Sequence, residues 1–338
     1  MTASERFRNV MDFKPTDRLP VIEWAPWWDK TLDNWRDQGL TLPNDPTLSS
    51  VEIVQRQLGL DLHASYWLPL RSAATPAPIA HGAPIIHSAA DYRDILPTLF
   101  PRDAIDFNRL ESLAHLQQSA GAITWYTLEG FFWWPRVLMG IEPHLFSFYD
   151  EPELYHQICG DLLEYAYYAL EMIYSVFVPD YMTIAEDMSY NNGPMLSEAM
   201  FDEFLLPYYK QLVPFIKKHG TRVFVDSDGD ISRALPWFER AGIEGILPLE
   251  RQAGVDLMEL RQKHPRFLFI GHFDKMTMPL GEDAMRREFE RLLPIMQSGG
   301  FIPSVDHQTP PGVTLAQYEV YVKLLNEYCI KAAQKGLS

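Results

Sequence analysis

The last third of the chain, residues 221–311, constrains the fold more than any other part of the sequence. Four times in this stretch, a short apolar run is followed directly by polar residues that can carry chemistry. The runs are RVFVDSDGD (222–230), GILPLE (245–250), RFLFIGHFDK (266–275) and GFIPSVDH (300–307). Their hydrophobicity is continuous rather than alternating, which is typical of strands covered on both faces of a parallel sheet. Since helix-like segments separate the runs, the stretch predicts βαβα order.

Four further strand-like segments precede this stretch: residues 19–24 (LPVIEW), 60–70, the start of 122–140, and 181–197. Eight strand signals with interleaved helices predict an α/β fold of the (β/α)8 TIM-barrel type. A barrel of 338 residues is ordinarily one domain, so we expect a single domain over residues 1–338. The Pro- and Ala-rich segment 71–85 is predicted to be an excursion from the barrel that forms a short hairpin or a lid.

The composition argues against several classes of partner. A formal net charge of -16 disfavours binding to nucleic acid or to an anionic membrane surface. No apolar run approaches the ~20 residues of a membrane span, and the charged N-terminus has no signal-peptide core. The two cysteines, Cys159 and Cys329, form no CxxC pair, which predicts reduced thiols in a cytoplasmic protein.

Charged and imidazole side chains follow the four strands of the last third. The carboxyl ends of successive parallel strands share one rim of a barrel, with neighbouring strands ~4.8 Å apart. Two imidazoles and several carboxylates at this rim are adequate ligands for zinc with an open coordination position. His272 and His307 are the best candidates, with Glu250 and either Asp226 or Asp228 beside them. We therefore predict a metal site at Asp228, Glu250, His272 and His307.

The same rim could work without a metal. In that interpretation Glu186, Asp187 or Asp306 is the proton donor and His307 is its partner. Carboxylates that crowd into one cleft acquire separated pKa values, so that one can be an acid while another is a base. These three carboxylates are the predicted catalytic residues.

A carboxylate after a buried strand also has a purely structural interpretation. Asp228 and Asp230 precede a helix-like segment, so one of them is expected to cap that helix. Asp274, directly before Lys275, could belong to a salt-bridged turn. The whole set is harder to explain in this way, because residues at barrel strand ends face one shared cleft.

Aromatic residues are dense after the first and third predicted strands. Some are expected to fill the core between barrel and helices. The others would form a flat apolar wall suited to a ring-shaped ligand. The predicted substrate-binding residues are Trp24, Trp27, Trp28, Glu129 and Trp133.

Several motifs in order carry a resemblance to a known family. They are DRLPV, EDMSYNNGPMLS, VDSDGD, GILPLE followed by AGVDL, GHFDK, and GGFIPSVDHQTPPGV. Together they resemble the uroporphyrinogen decarboxylase-like superfamily over nearly the whole chain. They are more similar to its branch of cobalamin-dependent methyltransferases, of the methylcobamide:coenzyme M and O-demethylase types. The resemblance implies a (β/α)8 barrel.

The resemblance to the decarboxylases themselves breaks down near the N-terminus. True uroporphyrinogen decarboxylases carry an Arg-Gln-Ala-Gly-Arg segment there, whose arginines hold the carboxylates of the porphyrinogen. This chain has WAPWWDK instead, with no arginine between Arg18 and Arg36. Because a buried carboxylate without a cationic partner costs roughly several kcal/mol, porphyrinogen decarboxylation is not expected.

The methyltransferases bind zinc through a His-x-Cys pair after strand five and a later cysteine. Here strand five ends in Asp226, Ser227 and Asp228, and position 272 is histidine. The resemblance therefore implies a zinc site of oxygen and nitrogen ligands, which could polarise an ether or hydroxyl oxygen.

By the same resemblance, we expect a zinc-dependent O-demethylating methyltransferase acting on a small methoxylated, aromatic compound. The methyl acceptor would be the corrinoid carried by a separate partner protein, because this chain has no corrinoid domain. Two alternatives stay open: a metal-free decarboxylase for a smaller acid, with Arg71 and Arg136 as its candidate arginines, and a non-catalytic ligand-binding barrel. Both a monomer and a homodimer are compatible with the family.

Overall fold

The structure, a computed structural model, describes residues 1–334. Within this range the strands are β1 (His63–Trp67), β2 (Ile123–Glu129), β3 (Tyr181–Ala185), β4 (Ser189–Tyr190), β5 (Gly193–Pro194), β6 (Arg222–Asp226), β7 (Gly245–Leu247), β8 (Leu268–Phe273) and β9 (Phe301–Val305). The helices of the first half are α1 (Ala3–Met11), α2 (Asp29–Asp37), α3 (Ser50–Gln57), α4 (Ala89–Ile95), α5 (Phe107–Ala120), α6 (Trp133–Met139), α7 (Ile141–Asp150) and α8 (Pro152–Val176). Those of the second half are α9 (Glu198–Met200), α10 (Leu206–Lys218), α11 (Leu235–Ala241), α12 (Leu257–Lys263), α13 (Glu282–Met296) and α14 (Leu315–Gln334). A π-helical turn over Phe201–Leu205 joins α9 to α10.

Seven of the described strands form one sheet, in the order β1-β2-β3-β6-β7-β8-β9. The pairs β3–β6, β7–β8 and β8–β9 are parallel, and His272 lies opposite Ser304 in the last of them. Strands β2, β3, β8 and β9 of this sheet are buried throughout, as their continuous apolar runs predict, whereas β1 is partly exposed. None of the helices within residues 1–334 is long and apolar enough to cross a membrane. The cytoplasmic location stays a prediction.

The predicted strand at residues 19–24 is not a regular strand. Pro20 has no backbone N–H to give to a ladder. The N–H of Val21 donates to the carboxylate of Asp61 at 2.9 Å, and that of Trp24 donates to Oγ of Ser304 at 3.0 Å. Because side chains take these backbone donors, the segment forms no regular ladder.

The backbone contacts group into two compact units, which are described separately below. The first unit contains residues 1–64, 115–125 and the chain from Gly245 onward, and the second contains residues 65–114 and 126–244. The expectation of a single domain stays a prediction.

Aromatic clusters form much of both cores. In the first unit, the rings of Trp35 and Tyr318 lie 4.6 Å apart. In the second unit, Phe148 packs against Tyr155 at 4.6 Å and against Phe204 at 5.0 Å. Ring pairs at these separations add to the free energy gained from burial alone.

The segment 71–85 of the second unit is irregular, as predicted for an excursion, and forms no hairpin. Backbone hydrogen bonds hold it at both ends. At one end, the N–H of Ser72 donates to the carbonyl of Thr98 at 3.0 Å. At the other, the N–H of Ile85 donates to the carbonyl of Leu138 in α6 at 2.7 Å. The excursion is therefore anchored against α6.

Gly271 in β8 has φ +116, and a Cβ at this position would fall far inside contact distance of the Pro248 carbonyl oxygen. Gly271→Ala should lower the free energy of unfolding by about 2 kcal/mol or more, since both the backbone and the packing oppose a side chain. Urea unfolding followed by circular dichroism measures the loss. Gly160→Ala in α8 is the control: a Cβ there meets nothing within 4 Å, and about 0.5–1 kcal/mol of stabilisation is expected. Equal stability of the two variants would contradict the argument.

Candidate active site

Glu186, directly after β3 in the second unit, is a fully buried carboxylate that binds the start of α6. Its Oε1 accepts from the N–H of Phe131 at 2.9 Å and from the Tyr209 hydroxyl. Its Oε2 accepts from the N–H groups of Phe132 and Trp133, at 2.7 and 3.1 Å. The N–H groups of Phe132 and Trp133 are donors that the start of a helix leaves without an intrahelical partner, and the helix dipole favours a negative charge there.

The four donors fill the acceptor sites of the Glu186 carboxylate. Burial raises the pKa of Glu186 to about 7, and the hydrogen bonds from Tyr209 and from the three backbone N–H groups oppose the rise. A carboxylate bound in this way holds α6 in position. The geometry does not favour the predicted role of Glu186 as a proton donor to substrate.

Three aspartates of the second unit lie together where β3 and β6 end. One carboxylate oxygen from each of Asp187, Asp226 and Asp228 lies within 4.8 Å of the others, and all three residues are half-buried. The backbone N–H of Asp228 donates to Oδ1 of Asp187 at 3.2 Å. Burial, together with the charges of Asp187 and Asp228, raises the pKa of Asp226 well above its usual value. A group of three oxygen donors at this spacing could hold a hard divalent cation.

The backbone around this cluster is irregular. Asp187 has φ 40, an uncommon value for a residue other than glycine, and such positions are often functional. The predicted cap by Asp228 or Asp230 is wrong, because α11 begins at Leu235 and no side chain caps it. Oδ1 of Asp230 instead accepts from the N–H of Ser232 at 3.0 Å, in the turn before the helix.

Glu129, at the end of β2, is the predicted substrate-binding carboxylate. It is 9 % exposed, and its Oε2 is buried with no hydrogen-bond partner among the described residues. Burial raises the pKa of Glu129 to about 7, and the charge of Arg71 and a hydrogen bond from Trp67 oppose the rise. The predicted residue Trp133 lies nearby in the chain, under the guanidinium of Arg136, which is 4.8 Å from the ring centroid.

Asp306, after β9 in the first unit, connects two loops. Its side chain is fully buried and accepts from the backbone N–H groups of Arg251 at 3.0 Å and of Lys275 at 3.2 Å. The ammonium group of Lys275 lies 3.3 Å from Oδ1. Burial raises the pKa of Asp306, and Lys275 opposes the rise. These contacts give Asp306 a structural role, whereas its predicted catalytic role stays a prediction.

His272, in β8, is buried with both ring nitrogens in contact with the protein. Nδ1 lies 2.9 Å from the carbonyl of Leu249, and Nε2 lies 3.3 Å from Nη1 of Arg291. Burial and the charge of Arg291 lower the pKa of His272 to about 3, so the ring is neutral and Nε2 accepts from the guanidinium. Because a metal would have to displace Arg291, these surroundings do not favour His272 as a ligand. Glu250 and His307, two other predicted ligands, are both half-buried in the first unit.

The three tryptophans after the first predicted strand have different environments. Trp27 is 7 % exposed and meets the ring of Tyr318 edge-on, so it belongs to the core. Trp24 is half-buried, and its indole N–H donates to the carbonyl of Val305 at 2.7 Å. Trp28 is 43 % exposed and lines an open depression with Lys30. Of the three, Trp28 has the exposure that a binding surface requires.

Sequence reasoning missed Glu23 in the first unit. It is buried, and its carboxylate accepts from the hydroxyl of Ser304, from the N–H of Val305 at 3.2 Å and from the hydroxyl of Tyr318 at 3.0 Å. Burial raises the pKa of Glu23 to about 7, and these hydrogen bonds oppose the rise. The signal for this residue was a single glutamate inside the apolar run LPVIEW.

Comparison with solved structures shows the fold. The structure is similar to that of a methyltransferase from Methanosarcina mazei, with a TM-score of 0.66 and 14% sequence identity over 97% of this chain and 99% of that one. A B12-independent methionine synthase from Shewanella sp. W3-18-1, in complex with selenomethionine, gives a TM-score of 0.44 and 12% identity over 68% of this chain and 67% of that one. The first likeness confirms the predicted α/β fold of the TIM-barrel type.

The sequence then identifies the family. The uroporphyrinogen decarboxylase (URO-D) family matches residues 137–328, more than half of the chain. The protein belongs to the uroporphyrinogen decarboxylase family, as its ordered motifs indicated. A direct comparison of the sequence with curated proteins gave no match.

Glu186→Gln tests whether this residue is structural. An amide has one acceptor oxygen and brings its own N–H donors, so some of the four donors lose their partner and the free energy of unfolding should fall by about 2–4 kcal/mol. Urea unfolding of the purified variant measures this loss. Tyr209→Phe removes one donor and should cost less, about 1 kcal/mol. A Glu186→Gln variant as stable as the wild type would contradict the structural role.

Glu129→Gln tests the effect of burial on that carboxyl. Because the folded pKa, about 7, lies above the ordinary value of 4.5, the neutral carboxyl stabilises the fold below pH 4.5. This contribution is lost as the pH rises from 4.5 through 7, by about 2–3 kcal/mol. The stability of the wild type relative to Glu129→Gln should therefore fall across this window in urea unfolding. Glu111→Gln, an exposed change on α5, is the control, and a pH-independent difference for Glu129→Gln would oppose the prediction.

Proposed function

We propose that this protein is a metal-dependent methyltransferase. It moves a methyl group from a small methoxylated, aromatic compound to the corrinoid of a separate partner protein. The metal we propose is zinc. The observation that carries the proposal is the cluster of Asp187, Asp226 and Asp228, in which three carboxylate oxygens lie within 4.8 Å of one another.

The chemistry of the side chains fits a metal held by oxygen rather than by sulfur. Cys159 is buried in α8, where its Sγ lies 3.4 Å from the carbonyl of Phe131. Cys329 is buried with its Sγ 3.6 Å from the carbonyl of Pro20. Both thiols thus have structural surroundings, and burial raises the pKa of both. A thiolate site of the coenzyme M type has no ligands here among the described cysteines, while the three aspartates offer hard donors.

Two further facts support methyl transfer. The chain belongs to the uroporphyrinogen decarboxylase family, and a solved structure that it resembles over 97% of its length is a methyltransferase. The stretch between Arg18 and Arg36 contains no arginine. It therefore lacks the cations that a molecule with many carboxylates would need there.

The three aspartates and Glu186 have different roles in the proposed reaction. When bound, the metal supplies a Lewis acid at the ether oxygen of the substrate. Asp187, Asp226 and Asp228 would hold it through their carboxylates. The reduced cobalt of the partner's corrinoid would supply the electron pair of the new bond to the methyl carbon. The bond between that carbon and the ether oxygen would break, and the oxygen would keep its electron pair and take a proton from solvent. Glu186 keeps α6 in place, so that Trp133 has a fixed position.

A second candidate is the decarboxylation of a small acid without a metal. It is favoured by one observation, which is that Arg71 and Arg136 line the same cavity of the second unit. An arginine-lined pocket is what a decarboxylase for such an acid requires, because its substrate is anionic.

Elemental analysis with a matched pair of variants tests the metal. The wild type should hold about one equivalent of zinc, and Asp228→Asn should lose it together with at least about 100-fold of the methyl transfer to a reconstituted corrinoid protein. Asp230→Asn is the control: the amide oxygen can accept the same bond from the N–H of Ser232, and Asp230 is not one of the three clustered aspartates, so metal content and rate should stay unchanged. Glu250→Gln, His272→Ala and His307→Ala test the other three ligands predicted from the sequence. Any of these variants that loses zinc would identify its residue as a ligand. A protein without metal, and without methyl transfer from methoxylated aromatics, would leave decarboxylation as the better proposal.

A further inference from the structure

The second unit contains a cavity of about 200 Å³ between the excursion 71–85 and α6. Arg71, His81 and Ala83 line it from the excursion. Trp133 and Arg136 line it from α6, together with apolar side chains at positions 78, 137 and 141. Cationic groups and apolar surface therefore share one small space.

The wall of this cavity is fixed by backbone contacts. The N–H of Ile141 donates to the carbonyl of Gly82 at 3.1 Å. A Cβ at Gly82 would lie 2.6 Å from Cδ1 of Ile141, and one at Gly140 would lie 2.8 Å from the backbone nitrogen of Pro84. Both glycines have positive φ, so the excursion and the end of α6 approach each other as closely as only glycine allows. The cavity is thus part of the folded unit and does not depend on a flexible surface.

The two guanidinium groups keep hydrogen-bonding capacity. Within residues 1–334, the side chain of Arg136 makes one hydrogen bond, to the carbonyl of Asp187 at 3.2 Å, and stacks on Trp133. The exposed guanidinium of Arg71 makes no hydrogen bond to the described residues, although the charge of Glu129 lies close to it. A guanidinium has five N–H donors in a planar fork that matches a carboxylate.

We propose that this cavity binds the carboxylate of a small aromatic acid. Arg71 and Arg136 bind the carboxylate, and the ring lies against Trp133 and Ile141. Charge-assisted hydrogen bonds from two arginines and stacking on an aromatic ring are the contacts such a molecule needs. This inference rests on the proposed function and names its substrate class, a methoxylated aromatic acid rather than a neutral ether.

Calorimetric titration with 4-methoxybenzoate and with its neutral isostere 4-methoxybenzamide tests the inference. The benzoate should bind the wild type at least about tenfold more tightly than the benzamide. Arg136→Lys, which keeps the charge but loses the fork, and Arg71→Gln should each weaken the benzoate at least about tenfold. Arg71 is exposed, so its variant tests the idea even if the Arg136 variant fails to fold. At a pH above 7, where Glu129 is ionised, Glu129→Gln should bind the benzoate more tightly, because a negative charge beside Arg71 is removed.

Arg102→Gln is the control, since Arg102 pairs with Glu164 on the surface of the same unit and is not among the residues that line the cavity. Its affinity for the benzoate should equal that of the wild type. Equal binding of benzoate and benzamide, binding of neither, or an equal loss in Arg102→Gln would overturn the inference. The titration contains no corrinoid protein, so its outcome is separate from that of the methyl-transfer assay. Benzoate binding without methyl transfer would refute the proposed reaction alone, and methyl transfer from neutral ethers only would refute the carboxylate site alone.

Discussion

In the second unit, the position of α6 depends on a single buried carboxylate. Glu186 accepts three backbone hydrogen bonds and one from Tyr209, and so determines where α6 begins. Removing a charge from water is costly, and this one is compensated because every acceptor site has a donor. Gly130 makes the arrangement possible, since a side chain there would overlap the carboxylate.

Helix α6 contacts both the cluster of three aspartates and the cavity under the excursion. From α6, Arg136 donates to the carbonyl of Asp187, which belongs to the acidic cluster. The same helix presents Trp133 and Arg136 to the cavity under the excursion. One helix of seven residues thus adjoins a group suited to a cation and a pocket suited to an anion. In the proposed reaction, the ether oxygen of the substrate would meet the metal held by the acidic cluster, and its carboxylate would bind in the cavity.

The sequence predicted the sheet better than it predicted the roles of the side chains. Continuous apolar runs indicate buried strands, and most strands of the main sheet lie where such runs occur. The exception is β1, HASYW, which has no such run and is partly exposed. The prediction of a strand at LPVIEW is wrong, because the sequence pattern does not reveal that the side chains of Asp61 and Ser304 accept hydrogen bonds from its backbone N–H groups. The chain position of a carboxylate predicts that it lies at a strand end, but not which groups donate to it. Glu186 and Asp306 therefore looked like Asp187, although backbone N–H groups surround both of them. Arg71 and Arg136 were each visible as candidates, whereas their meeting in one cavity required the fold.

The attachment of the excursion to α6 has a consequence for divergence within the family. Its anchoring bonds join main-chain atoms, such as those of Ile85 with Leu138 and of Gly82 with Ile141. Main-chain bonds do not depend on side-chain identity, so positions 78, 81 and 83 can mutate while the wall of the cavity keeps its place. In this wall, close approach constrains Gly82 and Gly140. Relatives could therefore acquire different ligand preferences by single substitutions in this wall, without first having to rebuild the fold that supports it.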